Sequence, residues 1–371
     1  MKTIHPDTVH GTVNRVTNSI FAYQGWPTIA RDEQGTLYAV SSSFRVSHIC
    51  PFGKTVMYVS RNEGKTWSPP IVINDTYLDD RDGGILYMGN GRMLVSWFTH
   101  STENYQYNKR LNTSIRKSSE REAYDAVVGM LNGYDFLPEH EKAGGSYVRI
   151  SEDYGVTWSE KIKIPVSAPH GPSICRDGSL IYLGREMYGK EDLQEKATAL
   201  YRSRDGGYSW KKECIIDNPE WLKPSESLEE PHIIELPDGR LLGAFRVEGR
   251  NPYTIAFAYS DDGGLCFGDM LCTNVSGAPP HLMLHSSGAL ICSYGRRQAP
   301  AGERAMVSYD FGKSWSEEYV LDERTAGAEA RDIGYPSTVE LDDGSLMTVY
   351  YQPVEGDKKP SILYTKWKLD R

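Results

Sequence analysis

The sequence has no apolar run that approaches the roughly 18 residues of a membrane-spanning helix, so we expect no membrane span. Its first residues, MKTIHPDTVHGTVNRV, also lack the apolar core of a secretory signal peptide. The expectation is therefore a cytoplasmic protein, or a secreted or periplasmic one whose leader has already been removed.

Basic runs of the kind that contact nucleic acid are missing as well, and the net charge is −9. The sequence thus argues against a nucleic-acid partner. It does not argue against an anionic small substrate, because a few local arginines outweigh a diffuse negative field at short range. The six cysteines are scattered without a Cys-x-x-Cys pair, which disfavours a disulfide framework and a zinc site. We expect no metal and no other cofactor.

What the sequence does contain is a short motif repeated five times, Ser-x-Asp/Asn-x-Gly-x-Thr/Ser-aromatic. It predicts a hairpin turn, because the carboxylate can bind nearby backbone N–H groups, the glycine permits positive φ and the aromatic ring packs beneath. Asn62 replaces the aspartate in the first copy, and Cys266-Phe267 replaces Thr-Trp in the fourth. The copies begin at Ser60, Ser151, Ser203, Ser260 and Ser308.

A second pattern, an apolar strand, a glycine turn and another apolar strand, recurs six times. The turn glycines are Gly35, Gly91, Gly178, Gly239, Gly288 and Gly344, at spacings of 56, 87, 61, 49 and 56 residues. Two hairpins per roughly 50 residues is the content of one four-stranded propeller blade. We therefore predict an all-β protein, one six-bladed β-propeller over residues 1–371. Two stacked β-sandwiches are the alternative, but they do not explain the regular spacing.

The long spacing places one insertion, residues 101–145, in or after blade two. Here the strand pattern stops, and Ala123, Val127 and Leu131 follow helical spacing. We predict a mostly helical insertion. It could act as a lid or as a contact in a homo-oligomer, or it could be a plain solvated excursion.

Polar residues collect at one rim of the predicted channel, where the inner strands begin and their partner strands end. The set is far richer in charged, His and Tyr residues than strand ends need to be, which indicates a ligand site. Trp26 and Arg81 also lie at inner-strand starts. The candidates to which we give roles are Tyr335, Glu230, His48, Asp82, Arg45, Arg246, Arg297, Arg304, His170, His232, His281 and Asp332.

Five such boxes on six blades resemble the sialidase (neuraminidase) superfamily, whose six-bladed propellers carry "Asp boxes". The resemblance runs from about Tyr23 to Tyr351. The boxes are specific for the fold but not for an activity, since they also occur in carbohydrate-binding and structural propellers. Sialidases use a tyrosine nucleophile paired with a glutamate, an aspartate acid/base and three arginines that hold the substrate carboxylate. Tyrosine nucleophiles are exceptional among glycosidases.

The resemblance implies that Tyr335, in GYPSTVELDDGSL, is the nucleophile and that Glu230, in EEPHIIELPDGR, is its base. Each directly precedes the proline that opens its inner strand, and Glu229 is the neighbouring alternative base. Arg246 matches one carboxylate-binding arginine. Arg304 and Arg297 compete for the next, with Arg304 slightly favoured.

Blade one departs from the family. Sialidases carry Phe/Tyr-Arg-Ile-Pro at the first strand, but this chain has Gln24-Gly25-Trp26-Pro27. Arg45, at the end of the partner strand, could supply the missing guanidinium. The expected acid/base aspartate is absent too, which leaves His48 or Asp82 as the acid. These departures indicate a divergent member and leave retention and inversion both open.

Three functional hypotheses follow. The first is an exo-glycosidase of the sialidase type that releases a terminal acidic sugar, such as sialic acid, from a glycan. The second is another propeller glycoside hydrolase or lyase on an acidic polysaccharide, in which His170, His232 and His281 act. These imidazoles could hold a metal, although hydrogen bonding is favoured. The third is a non-catalytic glycan-binding propeller, which the Glu230/Tyr335 pair argues against.

Overall fold

The structure, a computed structural model, describes residues 1–107, 121–187, 197–324 and 332–370. Six sheets form a ring; four are antiparallel blades of consecutive strands, and the other two each take up one strand from the N-terminal segment. This confirms the predicted six-bladed β-propeller.

Two strands precede the first blade, β1 (Lys2–Ile4) and β2 (Val9–Asn14). Blade one contains β3 (Tyr23–Arg31), β4 (Leu37–Arg45), β5 (Lys54–Ser60) and β6 (Ile71–Asn74). Blade two contains β7 (Arg81–Gly89), β8 (Arg92–Thr99), β9 (Gly145–Ser151) and β10 (Ile162–Ile164). Blade three contains β11 (Ser173–Ile174), β12 (Leu180–Arg185), β13 (Thr198–Ser203) and β14 (Lys211–Ile215).

Blade four contains β15 (Ser227–Glu235), β16 (Leu241–Glu248), β17 (Thr254–Ser260) and β18 (Leu271–Ser276). Blade five contains β19 (His281–Leu284), β20 (Leu290–Arg296), β21 (Gly302–Ser308) and β22 (Glu317–Asp322). Blade six contains β23 (Gly334–Glu340), β24 (Leu346–Pro353) and β25 (Pro360–Trp367). The first strand of every blade lies innermost, as expected, and contacts the inner strand of the neighbouring blade.

The ring is closed by the N-terminal strands. β2 pairs antiparallel with β25 and becomes the outermost strand of blade six, while β1 adds parallel to β22 of blade five. Blade six therefore joins strands from both ends of the chain. The repeat pattern did not predict this closure, because β2 is a single strand without the glycine turn that marks the other copies.

The two repeated turns have the predicted backbone. All six hairpin glycines have positive φ, between 72° and 90°. In the Asp box of blade two, Asp153 Oδ1 accepts hydrogen bonds from Ser151 Oγ and Thr157 N, both at 2.8 Å. The Trp158 indole donates to Gly155 O at 3.1 Å, and its ring packs on the core beneath. The boxes thus tie the third strand of a blade to the fourth.

The described parts of the insertion, residues 101–107 and 121–145, are mostly helical, as predicted, and lie between β8 and β9; the rest of the predicted insertion, residues 108–120, falls outside the described residues. It contains α1 (Thr102–Tyr107), α2 (Arg121–Gly133), a 3₁₀ turn (Tyr134–Phe136) and the single turn α3 (Glu139–Lys142). Ala123, Val127 and Leu131 are buried against Val46 and Leu78 of blade one and its exit segment. This apolar contact anchors the insertion on the rim beside the channel.

All six cysteines are free. Within the four described ranges, no helix has the length and apolar character needed to cross a membrane.

Gly11, in β2, lies opposite Tyr364 of β25. A Cβ at this position would overlap the Tyr364 ring. We expect Gly11→Val to lower the free energy of unfolding by about 1–3 kcal/mol through overpacking at the ring closure. Urea titration measures this effect. The control is Gly129→Ala in α2, where an added Cβ meets no atom within 4 Å. An unchanged midpoint for Gly11→Val would show that β2 contributes little to closure.

Candidate active site

Four residues at equivalent points of four inner strands have left-handed backbone: Trp26 (φ 53°), Asp82 (φ 52°), Glu230 (φ 45°) and Tyr335 (φ 54°). Blade three has Gly171 there, with φ 76°. At each of the four, the register with the neighbouring strand shifts. Such bulges re-aim side chains, and a left-handed residue other than glycine costs about 1–3 kcal/mol. The four side chains approach one another across the channel, as the contacts below show.

Tyr335 and Glu230 form the centre of the site. The Tyr335 hydroxyl donates a hydrogen bond to Glu230 Oε1, and Arg246 Nη1 donates to Glu230 Oε2 at 2.6 Å. Burial and the charge of Glu230 raise the pKa of Tyr335 well above its usual value. Burial alone would raise the pKa of Glu230, but Arg246 and the Tyr335 hydrogen bond outweigh it and lower that pKa. A protonated phenol thus faces an ionised carboxylate that is oriented to take its proton.

Glu229, the alternative base, faces elsewhere. Its carboxylate lies 3.3 Å from Arg185 Nε and accepts a hydrogen bond from Ser227 Oγ. The geometry therefore favours Glu230 over Glu229 as the partner of Tyr335.

Two of the predicted arginines, Arg246 and Arg297, lie on one wall and share an aromatic ring. Their guanidinium carbons are 4.1 Å and 5.4 Å from the centroid of Tyr253. Arg246 also pairs with Glu248. No carboxylate of the described residues lies within 4 Å of Arg297, which borders a cavity of about 510 Å³ together with Tyr253 and Glu248. This wall is suited to an anionic group.

The other two predicted arginines already have partners. Arg45 and Asp79 are both fully buried and form a two-contact ion pair beneath Trp26. Arg304 is 1% exposed and bonds to Glu323 and to the Pro300 carbonyl. The structure does not bring either guanidinium into the site, so the geometry favours Arg297 over Arg304.

Asp82 is the candidate acid from blade two. Burial, with a further contribution from the charge of Glu230, raises its pKa to about 7, although Arg81 opposes the shift. Its Oδ1 is buried without a hydrogen-bond partner in the described chain. Asp82 can therefore carry a proton at neutral pH close to the Tyr335–Glu230 pair.

His48 is the second candidate acid, and it is held by Asp332. Asp332 Oδ1 lies 2.9 Å from His48 Nδ1 and accepts hydrogen bonds from the hydroxyls of Tyr23, at 2.8 Å, and Tyr351, at 3.0 Å. The His48 side chain is 47% exposed and meets Trp26 edge-on at 5.0 Å. Because Nδ1 faces Asp332, Nε2 is the nitrogen left to meet a ligand. Asp332 was predicted to bind substrate; in the structure it contacts His48 and holds that imidazole in position.

The three predicted histidines lie together in the channel. The ring centroids of His170, His232 and His281 are 4.6–5.8 Å apart, and His170 is 6.5 Å from Tyr335. Burial lowers the pKa of all three, that of His232 to about 3. Over the described ranges, no group of three His, Cys, Asp or Glu side chains is arranged to hold a metal. His232 Nδ1 accepts from Leu282 N at 3.0 Å, so neutral imidazoles link neighbouring blades.

Sequence reasoning missed two residues that shape this site. Asp79, the partner of Arg45, stands in the acidic stretch Asp79-Asp80-Arg81-Asp82, which was a signal that could have been read. No sequence pattern marks Tyr253, because its role depends on Arg246 and Arg297 lying over its ring in the folded protein.

A family model described as a BNR repeat-like domain matches residues 136–349, more than half of the chain. The chain belongs to this family. No curated protein matches its sequence.

Solved structures share the fold of this BNR-family chain at low identity. A protein of unknown function from Dyadobacter fermentans is 20% identical, with a TM-score of 0.74 over 97% of this chain and 98% of that one. The NanB sialidase from Streptococcus pneumoniae is 14% identical, with a TM-score of 0.68 over 97% and 70%. The intramolecular trans-sialidase from Ruminococcus gnavus is 15% identical, with a TM-score of 0.63 over 97% of both chains. The chain is thus a divergent propeller with the sialidase fold.

The buried histidines make stability depend on pH. His232 stays neutral in the folded state down to about pH 3, whereas an unfolded histidine takes up a proton near pH 6.5. Between these values the unfolded state binds more protons, so stability falls as pH falls, by up to about 1.4 kcal/mol per pH unit for each such group. We expect His232→Gln to reduce this slope in urea titrations at pH 7, 6 and 5. The exposed His5→Gln is the control, and equal slopes for the two variants would contradict the prediction.

Proposed function

We propose that this protein is an exo-glycosidase that hydrolyses the bond to a terminal acidic sugar, sialic acid or a related sugar, in a glycan. The observation that carries the proposal is the contact between Tyr335, Glu230 and Arg246, which joins blades six and four across the channel. A non-catalytic lectin has no need of an ionised base buried against a protonated phenol.

In the proposed reaction, Glu230 takes the proton of Tyr335 while the Tyr335 Oη attacks the anomeric carbon and forms a covalent glycosyl-enzyme. Asp82 or His48 protonates the leaving oxygen. A water molecule activated by the same group then releases the sugar, and two displacements give net retention. The preformed hydrogen bond supports this role for Glu230, because an unassisted phenol is a poor nucleophile.

The proposed substrate class follows from the charges. Arg297, which has no carboxylate within 4 Å among the described residues, offers a fork geometry that matches a carboxylate, and Arg246 lies beside it on the same Tyr253 ring. A phenol nucleophile is neutral before it reacts, so it does not repel the carboxylate of an acidic sugar as an aspartate or glutamate would. The sialidase activity of relatives with this fold agrees with this proposal.

The first test is a panel of fluorogenic sialosides, uronosides and neutral glycosides. We expect turnover of an acidic glycoside and a loss of about 10³-fold or more in Tyr335→Phe, because the nucleophilic oxygen is removed. The matched control is Tyr58→Phe in blade one, whose buried hydroxyl bonds to Ser43 of the same blade and to Asn14 of β2. Turnover that survives Tyr335→Phe unchanged would overturn the nucleophile assignment. Formation of an unsaturated product from a uronoside would favour a lyase instead.

A second test separates the two candidate acids. If Asp82, with a pKa of about 7, donates the proton, kcat/KM falls as pH rises through about 7, where the donor loses its proton. Asp82→Asn should then slow substrates with a sugar leaving group by about 10²–10⁴-fold and remove this pH limb. A nitrophenyl leaving group, which needs no proton, should lose far less. If His48→Gln shows this pattern and Asp82→Asn does not, His48 is the acid.

A further inference from the structure

Unpartnered polar atoms collect on the wall that blades one and two build. Trp26 Nε1, Arg81 Nε and Asp82 Oδ1 are buried, and none has a hydrogen-bond partner in the described parts of the chain. Folded proteins leave few buried polar atoms unsatisfied, and each one calls for an explanation. Three on adjacent side chains of one wall indicate a surface built to meet a polar ligand.

Arg81 stands out in this group. It is 7% exposed, and its guanidinium carbon lies 4.5 Å from the Trp26 ring centroid and 5.8 Å from that of Phe98. Among the residues that the structure describes, no carboxylate lies within 4 Å of it and no hydrogen bond is made by its side chain. Arg45, near the same Trp26 ring, has the paired carboxylate of Asp79. Burial disfavours the charge of this guanidinium, and the nearby carboxylates of Asp82 and Asp79 act against that effect without bonding to it. Its N–H groups therefore remain available to a bound anion, which would satisfy them.

The position of Arg81 shows which part of a substrate it would meet. Asp82 follows it directly in β7, and His48 contacts the same Trp26 ring at 5.0 Å. These two residues are the candidate proton donors, and a proton donor contacts the oxygen of the leaving group. Whichever of the two acts, Arg81 lies on the leaving-group side. Blade two is also opposite blade five in the ring, so Arg81 and Arg297 belong to blades on opposite sides of the channel.

We infer that Arg81 binds an acidic group on the leaving portion of the substrate. The preferred substrates are then glycans in which the terminal acidic sugar is linked to a second acidic residue, not to a neutral sugar. The terminal carboxylate meets Arg246 and Arg297, and the second carboxylate meets Arg81. This inference rests on the proposed function, since it uses the proton donors to identify the leaving-group side.

The test compares two disaccharides that share a terminal sialic acid but differ in the leaving sugar, which is a second sialic acid in one and galactose in the other. A matching pair of disaccharides with a terminal uronic acid is measured in the same way. For the wild-type protein we expect kcat/KM to be about tenfold or more higher for the di-acidic disaccharide than for the one with a neutral leaving sugar. A hydrogen bond between charged groups contributes a difference of this size. Arg81→Gln should bring the ratio close to one, and Arg81→Lys should restore part of it. Arg92→Gln, a pair-forming arginine at the exposed end of β8, is the control and should keep the ratio.

A binding measurement separates this inference from the proposed function. Calorimetry with Tyr335→Phe compares the affinities for both disaccharides, with and without Arg81→Gln, and needs no turnover. If no glycoside is hydrolysed but Arg81→Gln weakens only di-acidic binding, the proposed function fails and the anion contact stands. If the monoacidic substrate is cleaved without any di-acidic preference, the proposed function stands and the Arg81 inference fails. Failure of both disaccharides to bind also overturns the inference.

Discussion

The left-handed residue at the head of the inner strands is the constraint on which the site depends. A regular strand alternates its side chains between the two faces of a blade, so it cannot direct one residue along the channel wall. The bulges at Trp26, Asp82, Glu230 and Tyr335 do this at a cost of about 1–3 kcal/mol each. Proline follows three of the four, and glycine follows Asp82. The rest of each blade holds the conformation through its buried core.

Arginines in this protein divide into two groups that differ in what they contact. Arg45 and Arg304 have carboxylate or carbonyl partners and fasten the loops beneath the rim. Arg297 and Arg81 rest on the aromatic faces of Tyr253 and Trp26 and have no carboxylate within 4 Å among the described residues. Arg246 combines both features, since it lies on Tyr253 and also pairs with Glu230 and Glu248. An aromatic face holds a guanidinium in place while it leaves the in-plane N–H groups free for an anion. The described helices of the insertion pack on Val46 and Leu78, in the segments that follow Arg45 and precede Arg81 in the chain.

Much of the fold was predictable because each blade repeats the same local signals. A glycine turn and an Asp box are set by residues within eight positions of one another, so the sequence displays them directly. The Tyr335–Glu230 pair was implied by the resemblance to sialidases, and the repeat placed both residues at the same point of their blades, directly before proline. The ion pair of Arg45 was not predictable, because its partner Asp79 lies 34 residues away and only the folded structure shows which arginine Asp79 contacts. The sequence placed Arg81 at the rim but predicted no role for it, because only the folded structure shows that its side chain lacks a hydrogen-bond partner among the described residues.

The closure of blade six has a consequence for the order in which this protein can be completed. β2 precedes the six inner strands in the chain, yet its partner β25 follows all of them; the paired residues His10 and Thr365 are 355 residues apart. The contact between His48 and Asp332 spans a similar separation, 284 residues. A nascent chain can therefore stack its early blades while the wall shared by blades one and six stays open. The ring can close only after β25 has been made, so the candidate active site, which uses Asp332 and Tyr335 of blade six, is completed late in this order.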